Sequence, residues 1–407
     1  MALVNIIGIL LPVGNKGDEA IYITSINLVK KYLNQANLAI ALPPRWYYDK
    51  TNAPYAQEIL EKLDIDKVIP HPLELLSFAG GKKSMYAFKG IRFLYYQSPP
   101  ELASLVLSLK AAASIMREKE KVCANVTLSF PFESANILYV SSFIIPKRST
   151  RKPLIAFPIS AAFIKNNTEK DLVRIALSSA DVVFTRGPYT TRYFKKMSVS
   201  NVVTGFDPAF LLESHEDINI KEDTDRTSIG ITPHSSFPPI ILSALISQIT
   251  EKLESRIYII PTDVRDFNYA RAILDQNRQF NKFCKLVDTR RMSAQRVKAM
   301  FSKIQLLISF RVHPIIFALS LGKPVIAVAS MYDLKFLDVL SQFGLEKNFI
   351  DREAFILKPV ESINKVISII SEILDYYPLI EKNIMRRIPN IRFKAELPGL
   401  YLKAYLE

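Results

Sequence analysis

No segment of this chain is more informative than Leu306-Leu307-Ile308-Ser309-Phe310-Arg311-Val312-His313-Pro314. Its apolar first half predicts a strand buried on both faces, as in a parallel sheet. Pro314 suits the first position of a following helix. Arg311 and His313 would then lie at the carboxyl end of a strand, where open α/β sheets bind their ligands. A cation, an imidazole and a helix N-terminus together indicate a site for a phosphorylated or carboxylated substrate. The alternative is that Arg311 pairs with a structural carboxylate and His313 caps the helix.

The same alternation of apolar strands and helices runs along most of the chain of 407 residues. An acidic, polar stretch between Glu213 and Arg226 interrupts it and is typical of a linker. We therefore expect an α/β protein with two Rossmann-like lobes facing a central cleft. The expected segments are an N-terminal domain at 1–215, a linker at 216–226, a C-terminal domain at 227–385, and a tail at 386–407 that can cross back onto the first domain.

Composition narrows the class of protein. The two cysteines, Cys123 and Cys284, are far apart and lack metal-ligand spacing, so we expect neither a disulfide framework nor a zinc site. The first residues have neither the basic start nor the cleavage site of a signal peptide. The apolar runs are shorter than a membrane span. These features favour a cytoplasmic protein without a bound metal.

A formal net charge of +14 favours anionic partners. The chain has no nucleic-acid-binding signature, so we expect no nucleic acid among them. The densest basic and aromatic stretch runs from Lys82 to Tyr96. It could contact an anionic membrane, peripherally at the inner face, or hold a lipid-linked sugar phosphate. The alternative is a partly buried helix with a solvated basic face.

An early motif lies where the first strand is followed by a helix. Its glycines, including Gly17, can bring backbone amides close to a ligand, and Asn15 or Asp18 could bond a sugar hydroxyl. Alternatively, Asp18 and Glu19 simply begin a helix. The motif is neither a Walker loop nor a dinucleotide fingerprint.

Further strand ends carry candidate residues. Arg186 follows an apolar strand and precedes a proline-initiated helix, which repeats the arrangement around Arg311 and places it in the cleft from the other lobe. Asp207 is expected in a turn. Tyr332 and Lys335 follow another strand, where they either contact substrate or belong to a surface loop. His234 also follows a strand.

In their order along the chain, these motifs resemble those of the polysaccharide pyruvyl transferases. The matching segments are Asn15-x-Gly17-Asp18-Glu19-Ala20-Ile21, Arg186 after a strand, Gly205-x-Asp207-Pro208-Ala209-Phe210, Ser309-x-Arg311-Val312-His313 and Phe317-Ala318-Leu319-x-x-Gly322-Lys323-Pro324.

The resemblance implies a GT-B-like fold and transfer of pyruvate from phosphoenolpyruvate onto two hydroxyls of a sugar, in a glycan or glycan precursor of the cell envelope, to form a cyclic ketal. It implies that Arg186 and Arg311 grip the donor and that His313 transfers a proton, without a metal or a cofactor. The substrate-binding residues that we expect are Asn15, Gly17, Asp18, Glu19, Tyr332 and Lys335. The alternatives are a nucleotide-sugar-dependent glycosyltransferase of the same architecture and a catalytically silent homologue that acts as a binding module.

Overall fold

The computed structural model contains two parallel-sheet α/β lobes, which confirms the predicted fold class. It describes residues 3–8, 14–34, 36–41, 59, 61–63, 65–69, 99, 122–128, 131–132, 134–214 and 227–407. The basic and aromatic stretch from Lys82 to Tyr96 and the expected linker at 216–226 lie outside these residues.

Contacts divide the chain into two compact units. Unit 1 comprises Met1–Val13, Ile21–Pro208 and Lys394–Glu407, and unit 2 comprises Gly14–Ala20 and Ala209–Phe393. The early motif therefore belongs with unit 2, whereas the sequence-based boundaries placed it in the N-terminal domain. The boundary expected at the linker stays a prediction.

The strands of unit 1 form one parallel sheet in the order β3-β2-β1-β4-β6-β7-β8, with β5 paired to β6. Every residue of β6 is buried, as expected for a strand covered on both faces. The strands are β1 (Leu3–Ile7), β2 (Asn37–Ala41), β3 (Lys67–Ile69), β4 (Val122–Thr127), β5 (Pro131–Phe132), β6 (Leu154–Ala161), β7 (Val182–Thr185) and β8 (Val202–Thr204).

Four helices of the described residues accompany this sheet in the chain: α1 (Lys16–Tyr32), α2 (Ile137–Thr150), α3 (Asn167–Ser179) and α4 (Pro188–Lys196). A short 3₁₀ turn, Pro208–Leu211, follows β8. Helix α3 shows why such segments are helical. The Asn166 side chain caps it by accepting from the amides of Thr168 and Glu169, and its apolar residues recur on one buried face.

Unit 2 has a parallel sheet in the order β11-β10-β9-β12-β13-β14. Its strands are β9 (Ser228–Thr232), β10 (Arg256–Ile259), β11 (Cys284–Leu286), β12 (Leu306–Ser309), β13 (Val325–Ala329) and β14 (Phe349–Asp351). The strand order reverses between β9 and β12, so this pair forms the topological switch point where open α/β sheets bind ligands.

Eight helices of the described chain follow β9: α5 (Pro239–Leu253), α6 (Val264–Gln276), α7 (Ala294–Met300), α8 (Val312–Leu319), α9 (Leu334–Phe343), α10 (Arg352–Leu357), α11 (Pro359–Asp375) and α12 (Tyr377–Leu406). Helix α8 begins two residues before Pro314, so the prediction that this proline starts the helix is wrong. Proline is tolerated there because the first-turn amides have no partner within the helix. Among the described helices, we find none with the length and apolar character that a membrane crossing requires.

Candidate functional site

Three adjacent strands of unit 2 bring polar side chains to one edge of the sheet. Strand β9 lies between β10 and β12 in the strand order. Thr232 of β9 is in register with Ser309 of β12, and His234 and Arg311 each come two residues later. Since the strands are parallel, His234 and Arg311 leave the sheet side by side at the switch point.

Arg311 is held in place through one edge of its guanidinium. Its Nε donates to Asp266 Oδ2 at 2.6 Å, and its Nη2 lies 3.6 Å from Asp263 Oδ2. The Asp266 side chain is fully buried, whereas that of Arg311 keeps 15% of its exposure. Among the described residues, Nη2 has no hydrogen-bond partner. The alternative of a carboxylate partner is thus realised at Nε, and Nη2 is buried beside Asp263.

The turn before α8 fixes the backbone of Arg311. The Ser309 hydroxyl donates to the Arg311 carbonyl at 2.7 Å and accepts from the Arg311 amide at 3.1 Å. Arg311 is the N-cap residue of α8, without a side-chain cap bond, and His313 is the second helical residue. His313 therefore lies within the first turn, and it is not the residue that caps the helix.

His313 packs against the early motif. A Cβ atom built on Gly17 would lie 1.9 Å from His313 Nδ1 and 2.3 Å from its Cγ, so only a glycine fits beneath the ring as placed. The histidine is 9% exposed. Gly17, expected from the sequence to bind substrate, here provides the surface on which the imidazole rests.

Backbone bonds hold the early motif against the end of β10. The Lys16 amide donates to the Thr262 carbonyl at 2.9 Å, and the Val264 amide donates to the Gly14 carbonyl at 3.1 Å. Between these bonds, Asn15 and Asp263 form an isolated antiparallel bridge. The motif thereby reaches the same sheet edge as Arg311.

The polar side chains of the early motif make different hydrogen bonds. Asn15 Oδ1 accepts from the Gly17 amide at 2.9 Å, which closes the turn before α1. Glu19 is buried, and its oxygens accept from the Ala294 amide at the start of α7 and from Lys16 Nζ, at 2.9 and 3.0 Å. Asp18 is partly exposed. Glu19 therefore fixes the start of α7. The substrate-binding role expected for Asn15, Asp18 and Glu19 stays a prediction.

Asp263 interacts with two arginines, Arg265 and Arg311. It caps α6 through the Arg265 amide, and its two oxygens accept from Arg265 Nε and Nη2 at 3.0 and 2.9 Å. Burial alone would raise the pKa of Asp263, but the hydrogen bonds from Arg265 and the charge of Arg311 lower it below its ordinary value. This carboxylate is therefore ionised at neutral pH.

His234 is the second imidazole at this edge. Its Nδ1 accepts from the Ser236 amide at 3.1 Å. Burial and the charge of Arg311 lower the pKa of His234 to about 4, with smaller contributions of the same sign from Arg352 and Arg265, although Asp266 opposes them. His234 is thus neutral at pH 7, and the surrounding field favours an anion.

Arg186 has a different environment, in unit 1. Its Nε lies 3.0 Å from Asp207 Oδ2 and donates to the Pro158 carbonyl at 3.3 Å. Arg186 is only 2% exposed and Asp207 is fully buried. A buried guanidinium needs a carboxylate partner, and Asp207 provides it. The expected position of Arg186 in the cleft stays a prediction. Its catalytic role stays a prediction.

Tyr332 and Lys335 follow β13, the strand next to β12. Tyr332 is 53% exposed. Lys335 Nζ lies 3.0 Å from Asp333 Oδ2. Their assignment as substrate contacts stays a prediction.

Sequence reasoning missed the acidic pair Asp263 and Asp266 and the adjacent Arg265. A signal was present, since Asp263 follows the apolar strand Arg256–Ile259 and precedes a helical pattern. Among the described residues, no group of three His, Cys, Asp or Glu side chains is arranged to hold a metal ion.

A comparison with protein families agrees with this geometry. The model of the family "Polysaccharide pyruvyl transferase" matches residues 15–330, a range that begins at Asn15 and includes Arg186, His234, Arg311 and His313. The chain belongs to this family. The match covers most of the sequence and confirms the resemblance inferred from the ordered motifs. No protein in a search of curated sequences matches this member of the family.

Solved structures share the fold of this pyruvyl transferase family member. The UDP-GlcNAc 2-epimerase from Neisseria meningitidis, bound to UDP-GlcNAc, has a TM-score of 0.60 at 14% identity, with 99% of each chain covered. Anabaena Alr3699/HepE, in complex with UDP, has a TM-score of 0.56 at 13% identity over 99% of this chain and 98% of that one. A glycosyltransferase from Rickettsia africae scores 0.59 at 11% identity over 100% and 98%. These likenesses establish a GT-B-like fold.

Proposed function

We propose that this family member transfers pyruvate from phosphoenolpyruvate to two hydroxyls of one sugar in a glycan or glycan precursor, forming a cyclic ketal and releasing phosphate. The proposal depends chiefly on the geometry of Arg311 within the matched range. Its Nε is tied to the buried Asp266, while 15% of its side chain stays accessible. A guanidinium fixed in this way is preorganised for a carboxylate or phosphate oxygen.

The surrounding charges support an anionic donor. Arg265 and Arg352 add to the positive field at His234, whose pKa is low chiefly because of burial and then because of Arg311. Asp266 pairs with Arg311, and Asp263 pairs with Arg265. The low pKa of His234 shows that the local field is positive, which favours a ligand with anionic groups such as phosphoenolpyruvate.

The reaction has a consistent balance of bonds and protons. A proton is added to the methylene carbon C3 of the donor, and the first sugar hydroxyl forms a bond to C2 and releases its proton. The bond between C2 and the phosphate oxygen then breaks, and phosphate leaves with the electron pair. The second hydroxyl of the sugar bonds to C2 and releases its proton, which closes the ketal.

We assign the proton transfer to His313. An imidazole can gain and lose a proton near neutral pH, and the ring is fixed by its contact with Gly17 at the first turn of α8. Asn15 and Asp18, from the early motif in the same unit, would orient the acceptor hydroxyls. The scheme uses no cofactor, because arginines neutralise the donor. The cytoplasmic location and the membrane contact expected from the sequence stay predictions.

A ligand-binding assay and a product assay test the proposal together. Phosphoenolpyruvate at about a hundredfold excess over its Kd should stabilise the protein by roughly 3 kcal/mol, which raises Tm by a few degrees. Incubation with a panel of lipid-linked and nucleotide-linked sugars should give a product whose mass corresponds to a pyruvate ketal. The variant His313→Ala should keep the donor-induced shift and lose about two or more orders of magnitude in turnover.

A nucleotide-sugar-dependent glycosyltransferase is the second candidate, because the structural relatives described above include complexes with UDP and UDP-GlcNAc. Stabilisation by a nucleotide sugar and not by phosphoenolpyruvate would select it. Binding of phosphoenolpyruvate without product from any acceptor would favour a silent binding module. Turnover at the wild-type level in His313→Ala would refute the role of His313.

A further inference from the structure

We propose that His234 is a further donor-contacting residue, whose neutral imidazole donates a hydrogen bond from Nε2 to an anionic oxygen of the donor. The inference deepens the proposed function and rests on it for the identity of the donor as phosphoenolpyruvate. His234 comes two residues after the end of β9, and Arg311 comes two residues after the end of β12.

Strand register places the two residues together. The pairing of Thr232 with Ser309 fixes the ends of β9 and β12 at the same level. A buried carboxylate then joins the two loops, because Asp266 accepts from the Ser235 amide through Oδ1, at 2.8 Å, and from Arg311 Nε through Oδ2, at 2.6 Å. His234 and Arg311 therefore flank the switch point and share one anchor.

The tautomer follows from the turn. Nδ1 of His234 accepts from the Ser236 amide at 3.1 Å and lies 2.8 Å from the Ser236 hydroxyl. A nitrogen that accepts from a backbone amide carries no proton, so in the neutral ring the proton is on Nε2. The Phe237 amide donates to the His234 carbonyl at 2.9 Å. This bond closes the same turn and fixes the backbone of His234.

The charges around the ring maintain this form. The groups whose charges act on His234 are Arg311, Asp266, Arg352 and Arg265, three cations and one anion. Together with burial they disfavour a proton on Nδ1, so the imidazole donates from Nε2 without carrying a charge across the pH range of catalysis. Arg311 then provides the positive charge that attracts the anionic donor. The Nε2–H group of His234 orients the donor through a hydrogen bond.

Two substitutions test the roles of Nδ1 and Nε2 of His234 separately. In His234→Asn, the side-chain oxygen can still accept from the Ser236 amide, but the donor at the Nε2 position is lost. In His234→Gln, the longer amide can place an N–H near the Nε2 position. We expect Kd for phosphoenolpyruvate, measured by calorimetry, to rise about tenfold or more in the Asn variant and to stay within about threefold in the Gln variant. Tm should be nearly unchanged in both.

The pH dependence of binding distinguishes a neutral donor from a cation. Between pH 5 and 8, log Kd of wild type and of His234→Asn should run parallel, because His234 does not titrate in that range. Convergence of the two profiles at high pH would mean that the charged ring binds the donor, and would overturn the inference. Equal affinity of wild type and His234→Asn would also overturn it while leaving the proposed function intact.

Failure of the proposed function gives a different pattern. If wild type binds UDP and not phosphoenolpyruvate, pyruvyl transfer is refuted, and the same pair of variants is measured with UDP. A loss of UDP affinity confined to the Asn variant would still support His234 as the anion contact, and an unchanged affinity would overturn it. A wild-type protein that binds neither ligand would overturn both proposals.

Discussion

Replacing Gly17 with alanine should displace the imidazole of His313 and lower kcat about a hundredfold while the protein stays folded. The added Cβ would lie 1.9 Å from Nδ1 and 2.3 Å from Cγ of the ring. Ordinary carbon contacts are about 3.5 Å, so the ring or the start of α1 must move by roughly 1.5 Å. A misplacement of about 1 Å at a catalytic group can cost about a hundredfold in rate.

The assay is the initial rate of ketal formation at saturating donor and acceptor, with Tm measured by circular dichroism. Gly14→Ala is the matched control, in the same segment. Gly14 has φ +81°, so alanine there is strained, but no atom of the described residues lies within 4 Å of the added Cβ. We expect this control to lose about 1 kcal/mol of stability and to retain its kcat.

A double substitution shows whether the effect of Gly17 passes through the histidine. In a His313→Ala background, Gly17→Ala should cause no further loss of kcat, because the displaced group is already absent. Losses that multiply in the double variant would refute the coupling. A Gly17→Ala protein with wild-type kcat would refute the claim that the position of the His313 ring matters.

Three other substitutions test the charged groups. Asp266→Asn removes the anchor of Arg311, and we expect a loss of about 2–4 kcal/mol in urea unfolding and a weaker donor affinity. Arg186→Lys should lower Tm because the ammonium cannot reproduce both bonds of the buried guanidinium; a raised Kd for the donor would show that Arg186 also contacts substrate. Burial lowers the pKa of Lys298 to about 7, so the folded state loses this proton near pH 7 and the unfolded state only near pH 10.5. Wild-type stability should therefore gain about 1 kcal/mol per pH unit from pH 7 to 9 relative to Lys298→Met, and equal pH slopes in urea unfolding would refute this.

Most of the sheet architecture was accessible from the sequence, because buried parallel strands appear as uninterrupted apolar runs. Three of the described strands were not predicted, namely β4, β5 and β14, and of these β4, Val122–Thr127, is a central strand of unit 1. Its apolar pattern is interrupted by Asn125, which is fully buried. The structure explains this residue, since Asn125 accepts from Asn5 of the neighbouring strand and donates to Thr150. A polar residue whose partners are distant in sequence cannot be recognised as a core position.

The site was only partly predictable for a related reason. Arg311 and His313 follow a strand directly, so the general position of ligand sites in α/β sheets identifies them. Asp266 lies in the first turn of α6, where an acidic residue is usual and needs no ligand. Its role emerges only from the pairing of β9 with β12, which brings Ser235 and Arg311 to the same carboxylate. Strand order and register are long-range properties that a single sequence does not specify.

The segments around Arg186 and Arg311 share a pattern of a strand, an arginine and a proline-containing helix. Their similarity is greater in the structure than in the sequence. Arg186 and Arg311 are each held through Nε by an oxygen of a fully buried aspartate, Asp207 in one unit and Asp266 in the other. Holding Nε fixes the plane of a guanidinium, and in both residues Nη2 is buried as well. The difference lies in exposure, because 15% of the Arg311 side chain is accessible and only 3% of that of Arg186. Since a ligand can contact only the accessible part of a side chain, Arg311 is the better placed of the two arginines to bind an anion.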